Sequence, residues 1–251
     1  GEEAVAAGVC AALKNEDQIT STHRGHGHLL AKGGDFNRMM AELMGKATGY
    51  CNGKGGSMHI CDLDLAMLGA NGIVGAGVPI SVGAAFANRL TGNGLISVSF
   101  FGDGATNIGA FHEAANMAAA LSLPMLFICE NNEFSVYSDL SSRQPKDRKI
   151  YKLAKSIGVE SGYSDGLNIE DIESHRLHFK YAKKLFDKSE VKPSDYHPED
   201  VRINSAGEKY SKILNSVFKA NYDFSDYNRA SSIYWPGNKL GHGREDVVKF
   251  W

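Results

Sequence analysis

The sequence predicts an α/β fold with parallel strands, and three observations carry that prediction. Residues 95–101 and 125–129 are short apolar runs rich in β-branched and aromatic side chains, each bounded by turn residues. Between them Ala110, Phe111, Ala114, Ala118 and Leu121 recur at helical spacing, so the unit reads strand, helix, strand. Such a unit makes a parallel pair joined by a right-handed crossover. A similar alternation of extended and helical patterns runs up to about Ser161.

The elements follow in order. Residues 4–13 are mostly alanine and other small residues and predict a closely packing helix, with Glu2 and Glu3 suited to its N-terminus. Residues 19–22 are β-prone. Asp35 can cap a helix in which Phe36, Met39, Met40, Leu43 and Met44 fall at i, i+3, i+4, i+7 and i+8, a Met-rich face suited to the core or to a subunit contact. Residues 53–59 are Gly-rich and predict a loop. The least polar stretch, 72–87, is broken by Gly72, Gly75, Gly77, Pro79 and Gly83, and it falls short of the roughly 20 residues of a membrane span. Pro79 can open a helix that runs through Leu90. Past Asp171 the character changes. His175 and His178 lie among Lys180, Lys183, Lys184 and Lys188, residues 189–204 are polar and interrupted by proline, and Tyr210, Ile213, Leu214, Val217 and Phe218 restore helical spacing. Residues 222–251 are aromatic with no clear period. The expected division is an α/β domain over 1–172 and an irregular C-terminal region over 173–251 with one amphipathic helix.

At 251 residues the chain has ample length for a core in one or two domains. A net charge of -2 lacks the basic footprint of a nucleic-acid binder. Cys10, Cys51, Cys61 and Cys129 form no Cys-x-x-Cys pair, which points to reduced thiols and a reducing compartment, the cytoplasm or an organellar matrix. No signal peptide or membrane segment is visible.

The chemistry concentrates where strands end. Gly102-Asp103-Gly104 closes one strand and Asn131-Asn132 the next. Parallel strands bring Asp103 and Asn132 together past their carboxyl ends, where open α/β sheets bind ligands, and both offer oxygen to a hard cation such as magnesium. Gly102 and Gly104 let the backbone approach a diphosphate. Two ordinary turns are the competing reading. His23, Arg24, His26 and His28 crowd one segment. Zinc is disfavoured there, because alternate residues of an extended chain point apart and no cysteine or carboxylate group joins them. Arg24 carries a permanently charged fork suited to a diphosphate. Gly53-Lys54-Gly55-Gly56-Ser57-Met58-His59 lacks the Ser or Thr that follows Lys in nucleotide-binding loops.

Gly-Asp-Gly, a helix and Asn-Asn at this spacing resemble the signature of thiamine-diphosphate enzymes acting on 2-oxo compounds. His23-Arg24-Gly25-His26-Gly27, the 53–59 loop, Gly69-Ala70-Asn71-Gly72-Ile73-Val74-Gly75, the run 102–109, Phe111-His112-Glu113 and Cys129-Glu130-Asn131-Asn132 resemble, in order, the alpha subunit of pyruvate and acetoin dehydrogenases. The resemblance covers about residues 1–172. It implies a parallel-sheet thiamine-diphosphate-binding fold with helices on both faces, magnesium held by Asp103, Asn132 and the backbone oxygen of Phe134, and a diphosphate contacted by His23, Arg24, Gly102, Gly104 and Ala105. It further implies an aminopyrimidine held by Gly72 oxygen and Val74 nitrogen, and His26 and His59 near the reacting substrate. The implied activity is oxidoreductase: oxidative decarboxylation of a 2-oxo acid such as pyruvate, or cleavage of acetoin, with acyl transfer to lipoyl. The implied partners are a beta subunit in an α2β2 heterotetramer, which supplies the carboxylate that activates the cofactor, and a lipoyl acyltransferase. A stand-alone acyloin lyase or synthase, or a cofactor-binding subunit without catalysis, are the alternatives.

Overall fold

Four short strands, nearly all of whose residues are buried or half-buried, form the centre of the fold, as their apolar composition requires. The computed structural model describes residues 3–168, Ile172 and 247–250. In chain order the elements are α1 (Glu3–Ala11), β1 (Gln18–Ser21), α2 (His26–Ala31), α3 (Phe36–Leu43), β2 (Met67–Ala70), α4 (Gly77–Thr91), β3 (Ser97–Gly102), α5 (Gly109–Ala120) and β4 (Met125–Asn131). A small hairpin of β5 (Phe134–Ser135) and β6 (Ser138–Asp139) follows, then α6 (Leu140–Arg143), α7 (Ile150–Ile157), β7 (Ser164–Asp165) and β8 (Val247–Phe250). The main sheet has the order β2-β1-β3-β4-β8-β7. Its first four strands are parallel, while β8 runs antiparallel to both β4 and β7.

Alternation along the strands sorts the core into two faces. Val98 and Phe100 of β3 and Leu126 and Ile128 of β4 join α1, α2 and α3 in one cluster with Val5, Val9, Leu29 and Met39. Phe101, Met125, Phe127 and Cys129 point the other way, against Val78, Val82, Phe111, Ala114 and Ala154 of α4, α5 and α7. Helices therefore cover both faces. Among the described residues no helix is long and apolar enough to cross a membrane, and all four cysteines are free thiols. Burial pushes the Cys10 thiol up to about 12.

Several expected boundaries move, each for a physical reason. The strand expected over 95–101 starts at Ser97 and runs to Gly102, because Leu95 N is taken by the Asn93 side chain in a turn and pairing begins at Ser97–Met125. The strand expected to end at Cys129 continues through Glu130 and Asn131, both buried. Glu130 tolerates burial because His28 meets its carboxylate. Asp35 caps α3 as expected, accepting from Arg38 N at 2.7 Å. The Met-rich face is only partly core, however: Met39 is buried, but Leu43 and Met44 are exposed, and the helix turns Glu42 inward instead. Pro79 sits in the first turn of α4 and not at its opening, which is Gly77, a position where its missing N–H costs no helical bond. His175, His178 and the segments 189–204 and 210–218 lie outside the described residues.

Candidate functional site

Every strand of the parallel set ends in a turn built by its own side chains, and the four turns share one edge of the sheet. The connections run outward from β1 to β2 and then across to β3, so the direction of winding reverses between β1 and β3. Such a reversal opens a crevice at the carboxyl edge.

At the end of β3, Asp103 is buried to within 1 % and begins a 3-10 turn through Asn107. Thr106 Oγ1 donates to Asp103 O at 2.7 Å, and Gln144 Nε2 donates to Thr106 Oγ1 at 2.8 Å, so the turn is anchored from two sides. Gly104 is required by closeness: a β-carbon there would lie 2.6 Å from Ser135 Oγ. A β-carbon added at Gly102 would make only an ordinary contact, 4.0 Å from Glu130 O, and Ala105 is buried. At the end of β4, Asn132 Oδ1 accepts from Phe134 N at 3.0 Å, turning the chain into the exposed β5–β6 hairpin. Asp139 then caps α6 by accepting from Ser142 N, and Arg143 reaches back to place Nη2 2.6 Å from Asp103 Oδ2.

At the end of β1 the chain does not stay extended, as the argument against zinc assumed. It turns through His23 and Arg24, both exposed, and enters α2 at His26. The ring directions still diverge: His26 Nε2 lies 3.0 Å from Ser57 Oγ, whereas His28 is buried between Ser21 Oγ at 2.8 Å and Glu130 Oε1 at 3.0 Å, with Phe100 against its ring. At the end of β2, Asn71 Oδ1 accepts from Ile73 N, and Val74 is exposed. Gly72 lies against the His59 ring, so that an added β-carbon would sit 3.3 Å from its Nε2.

The loop carrying Ser57 and His59 is held by a residue whose role the sequence pattern conceals. Glu42 Oε2 accepts from Cys51 N and Gly53 N, both at 2.8 Å, and Oε1 accepts from Gly55 N at 2.8 Å and Gly56 N at 2.9 Å. Burial raises the Glu42 pKa, but the backbone donors outweigh it and hold the carboxyl below its ordinary value, so it is ionised at neutral pH.

The structure thus brings His26, His59, Gly72, Val74, Gly102, Asp103, Gly104, Ala105, Asn132 and Phe134 to strand ends, turns and the starts of the elements that follow them along one edge, with His23 and Arg24 on its exposed rim. Sequence reasoning missed Arg143 and left His28 and Glu42 without their actual partners. The apolar spacing of α3 gave no signal for Glu42, because it marks Leu43 and Met44 as the core-facing residues.

Burial first, and then the neighbouring His28, hold the His26 imidazole below its ordinary 6.5. The unfolded chain therefore takes up the proton more readily than the folded one, so stability is full above about pH 6.5 and declines as pH falls beneath it. His23 is shifted in the same direction, chiefly by burial. Urea midpoints measured from pH 7 to pH 5 should fall less steeply in His26→Gln than in the wild type; equal slopes would contradict the shift.

The chain matches the family described as dehydrogenase E1 component over residues 1–184. It is 60% identical over 134 residues to the alpha subunit of the acetoin:2,6-dichlorophenolindophenol oxidoreductase of Bacillus subtilis (strain 168), an alignment covering 53% of this chain and 40% of the relative. It is 41% identical over 172 residues to the pyruvate dehydrogenase E1 component subunit alpha of Rickettsia bellii (strain RML369-C), covering 68% of this chain and 52% of the relative. The matched region spans about half or less of the length of these curated relatives. With its parallel sheet, two-sided helical cover and the four strand-end turns described above, the chain belongs to the dehydrogenase E1 component family.

Proposed function

We propose that this chain is the cofactor-anchoring alpha subunit of a thiamine-diphosphate-dependent dehydrogenase that acts on a 2-oxo acid such as pyruvate, or on acetoin, and passes the acyl group to a lipoyl acyltransferase. The observation that carries the proposal is the convergence of four strand-end turns, each with the residue types the cofactor needs, on one crevice edge. The relatives named as pyruvate dehydrogenase and acetoin oxidoreductase alpha subunits support it.

The donor set suits the groups assigned to it. Asp103 is a buried carboxylate, and Asn131, one position past the Gly102–Glu130 pairing, has an Oδ1 buried without a hydrogen-bond partner among the described residues, so these strand ends carry hard oxygen donors. Asp103, Asn132 and the Phe134 backbone oxygen would hold magnesium. Arg24 would clamp the diphosphate with its fork, next to His23, Gly102, Gly104 and Ala105, while Gly72 oxygen and Val74 nitrogen would hold the aminopyrimidine. When bound, thiamine diphosphate supplies a carbon nucleophile and an electron sink for cleaving a bond next to a carbonyl. His26 and His59 would face the substrate. His26, neutral near pH 7, can accept a proton, and His59 is braced by its packing on Gly72.

One requirement is met by none of three glutamates among the described residues. A carboxylate must activate the aminopyrimidine, yet Glu42 is committed to the Gly-rich loop and Glu130 to His28, and Glu113 is exposed on α5. The site's edge also leaves Met58, Ile73, Val74, Phe134, Val136 and Tyr137 open to solvent, an apolar rim suited to cover by another chain. A beta subunit, in an α2β2 assembly within a reducing compartment, would supply both cover and carboxylate. Deuterium exchange at the thiazolium carbon, followed by proton NMR with magnesium present, tests this. Acceleration is expected only when the beta subunit is added; acceleration by this chain alone would favour a stand-alone lyase.

A further inference from the structure

Arg143 is a cation in the place where another cation is wanted. Its Nη2 donates to Asp103 Oδ2 at 2.6 Å, and the pair is mostly buried, with the side chains 13 % and 1 % exposed. Its Nε donates to Asp139 O at 3.2 Å, and Nη2 also reaches Glu133 O at 3.4 Å, so one edge of the guanidinium is fixed by the β5–β6 hairpin and by α6. The remaining nitrogen, Nη1, is buried and has no hydrogen-bond partner among the described residues. It lies over Gly104, where an added β-carbon would stand 3.7 Å away. One arm of the fork therefore neutralises the carboxylate, and the other is aimed at the glycine past which a diphosphate would approach.

We propose that Arg143 is a displaceable counter-ion of Asp103: it holds the carboxylate while metal and diphosphate are absent, and it turns to the diphosphate when the two bind together. The inference rests on the thiamine-diphosphate reading above. A buried carboxylate needs a counter-charge in either state, because an unpaired one is strongly destabilising. Magnesium alone would have to displace the guanidinium, or share Asp103 with it against like-charge repulsion. A diphosphate removes that conflict, since its charged oxygens accept the fork and the metal together. Metal and diphosphate thus favour each other's binding, and by linkage the effect is the same in both directions. The cofactor-free chain would hold little magnesium, and the site would fill in one concerted step.

The test uses the full chain at pH 8 with Mn2+ as a paramagnetic stand-in for magnesium, its binding read by electron paramagnetic resonance with and without saturating thiamine diphosphate. In Arg143→Gln the affinity for Mn2+ alone should rise about tenfold, because the competitor is gone. The affinity for thiamine diphosphate at saturating Mn2+, read by calorimetry, should fall by about the same factor, because the fork is lost. An arginine that merely shaped the turn would weaken both when removed. Unchanged or weaker binding of Mn2+ alone in the variant overturns the inference. Failure of the wild type to bind thiamine diphosphate with Mn2+ overturns instead the cofactor reading on which it rests. Should Arg143→Gln not fold, Arg143→Lys serves: its single, shorter ammonium cannot hold Asp103 and reach over Gly104 at once. Binding of Mn2+ alone should then rise at least threefold, and no rise overturns the proposal.

Discussion

Asp103→Ala is expected to abolish magnesium-dependent binding of thiamine diphosphate, lowering its affinity by at least roughly a hundredfold, about 3 kcal/mol. Asp103 is buried and would be the anionic member of the proposed metal donor set, since the amide and backbone oxygens assigned with it bring no formal charge to a hard divalent cation. The substitution also strands the Arg143 guanidinium, and breaking a largely buried pair by removing one partner is costly in its own right. A folded-state readout must therefore accompany the affinity. Asp103→Asn keeps the shape of the turn, since the anchoring bond from Thr106 goes to the backbone oxygen and not to the carboxylate. Calorimetry with magnesium present should show the cofactor affinity of Asp103→Asn reduced nearly as far as that of Asp103→Ala. Wild-type affinity in either variant would refute the metal assignment.

Glu42→Ala should be the most damaging change outside the crevice. It removes both oxygens that receive Cys51, Gly53, Gly55 and Gly56, leaving four backbone donors to find water or remain unpaired. A buried donor left unsatisfied costs about 1–3 kcal/mol. The loop is half exposed, so water recovers part of the loss, and a net destabilisation of about 3 kcal/mol is expected, roughly 10 °C in melting temperature. Glu42→Gln should be nearly as harmful, because its amide turns a donor toward donors. The loop itself would loosen first, letting the backbone at the already exposed Lys54 adapt to trypsin and freeing Ser57 and His59 from their contacts with His26 and Gly72. Limited proteolysis compares the variants directly, and wild-type resistance in Glu42→Gln would sink the assignment. The lowered pKa adds a sign: because the folded state binds this proton less tightly than the unfolded one, the Glu42 contribution persists above its ordinary 4.5 and is lost as pH falls through the lower folded value.

What the sequence discloses and what it hides differ by range. The strand-end turns are legible because their residue types answer to local demands: Asn71 and Asn132 cap their own turns within two positions, and Gly104 has no room for a side chain. The two-faced core is legible too, from the continuous apolar runs of β3 and β4, which suit strands covered on both faces. Arg143 is hidden because it lies 40 positions from Asp103 and arrives only when the hairpin folds α6 back over the turn. His28 and Glu130 stand 102 positions apart, so neither announces the other. Glu42 is concealed differently, within a helix whose apolar spacing suggests that Leu43 and Met44 are the buried residues.

The strand order has a kinetic consequence. Thr20 Oγ1 on β1 donates to Gly77 O at the start of α4 and lies 3.1 Å from Ser99 Oγ on β3, the latter contact closing 79 positions of chain, and β1 finds its place in the sheet only between β2 and β3. Pairings of such separation are slow to form, since loop-closure entropy is lost before the contact is gained. Arg24 and Asp103 therefore come to share an edge only after β3 has docked beside β1, whereas the local hairpin-like turns can form earlier. Affinity for the diphosphate should appear as one of the last events in refolding, which makes cofactor binding a reporter of completed sheet assembly and not of secondary-structure content.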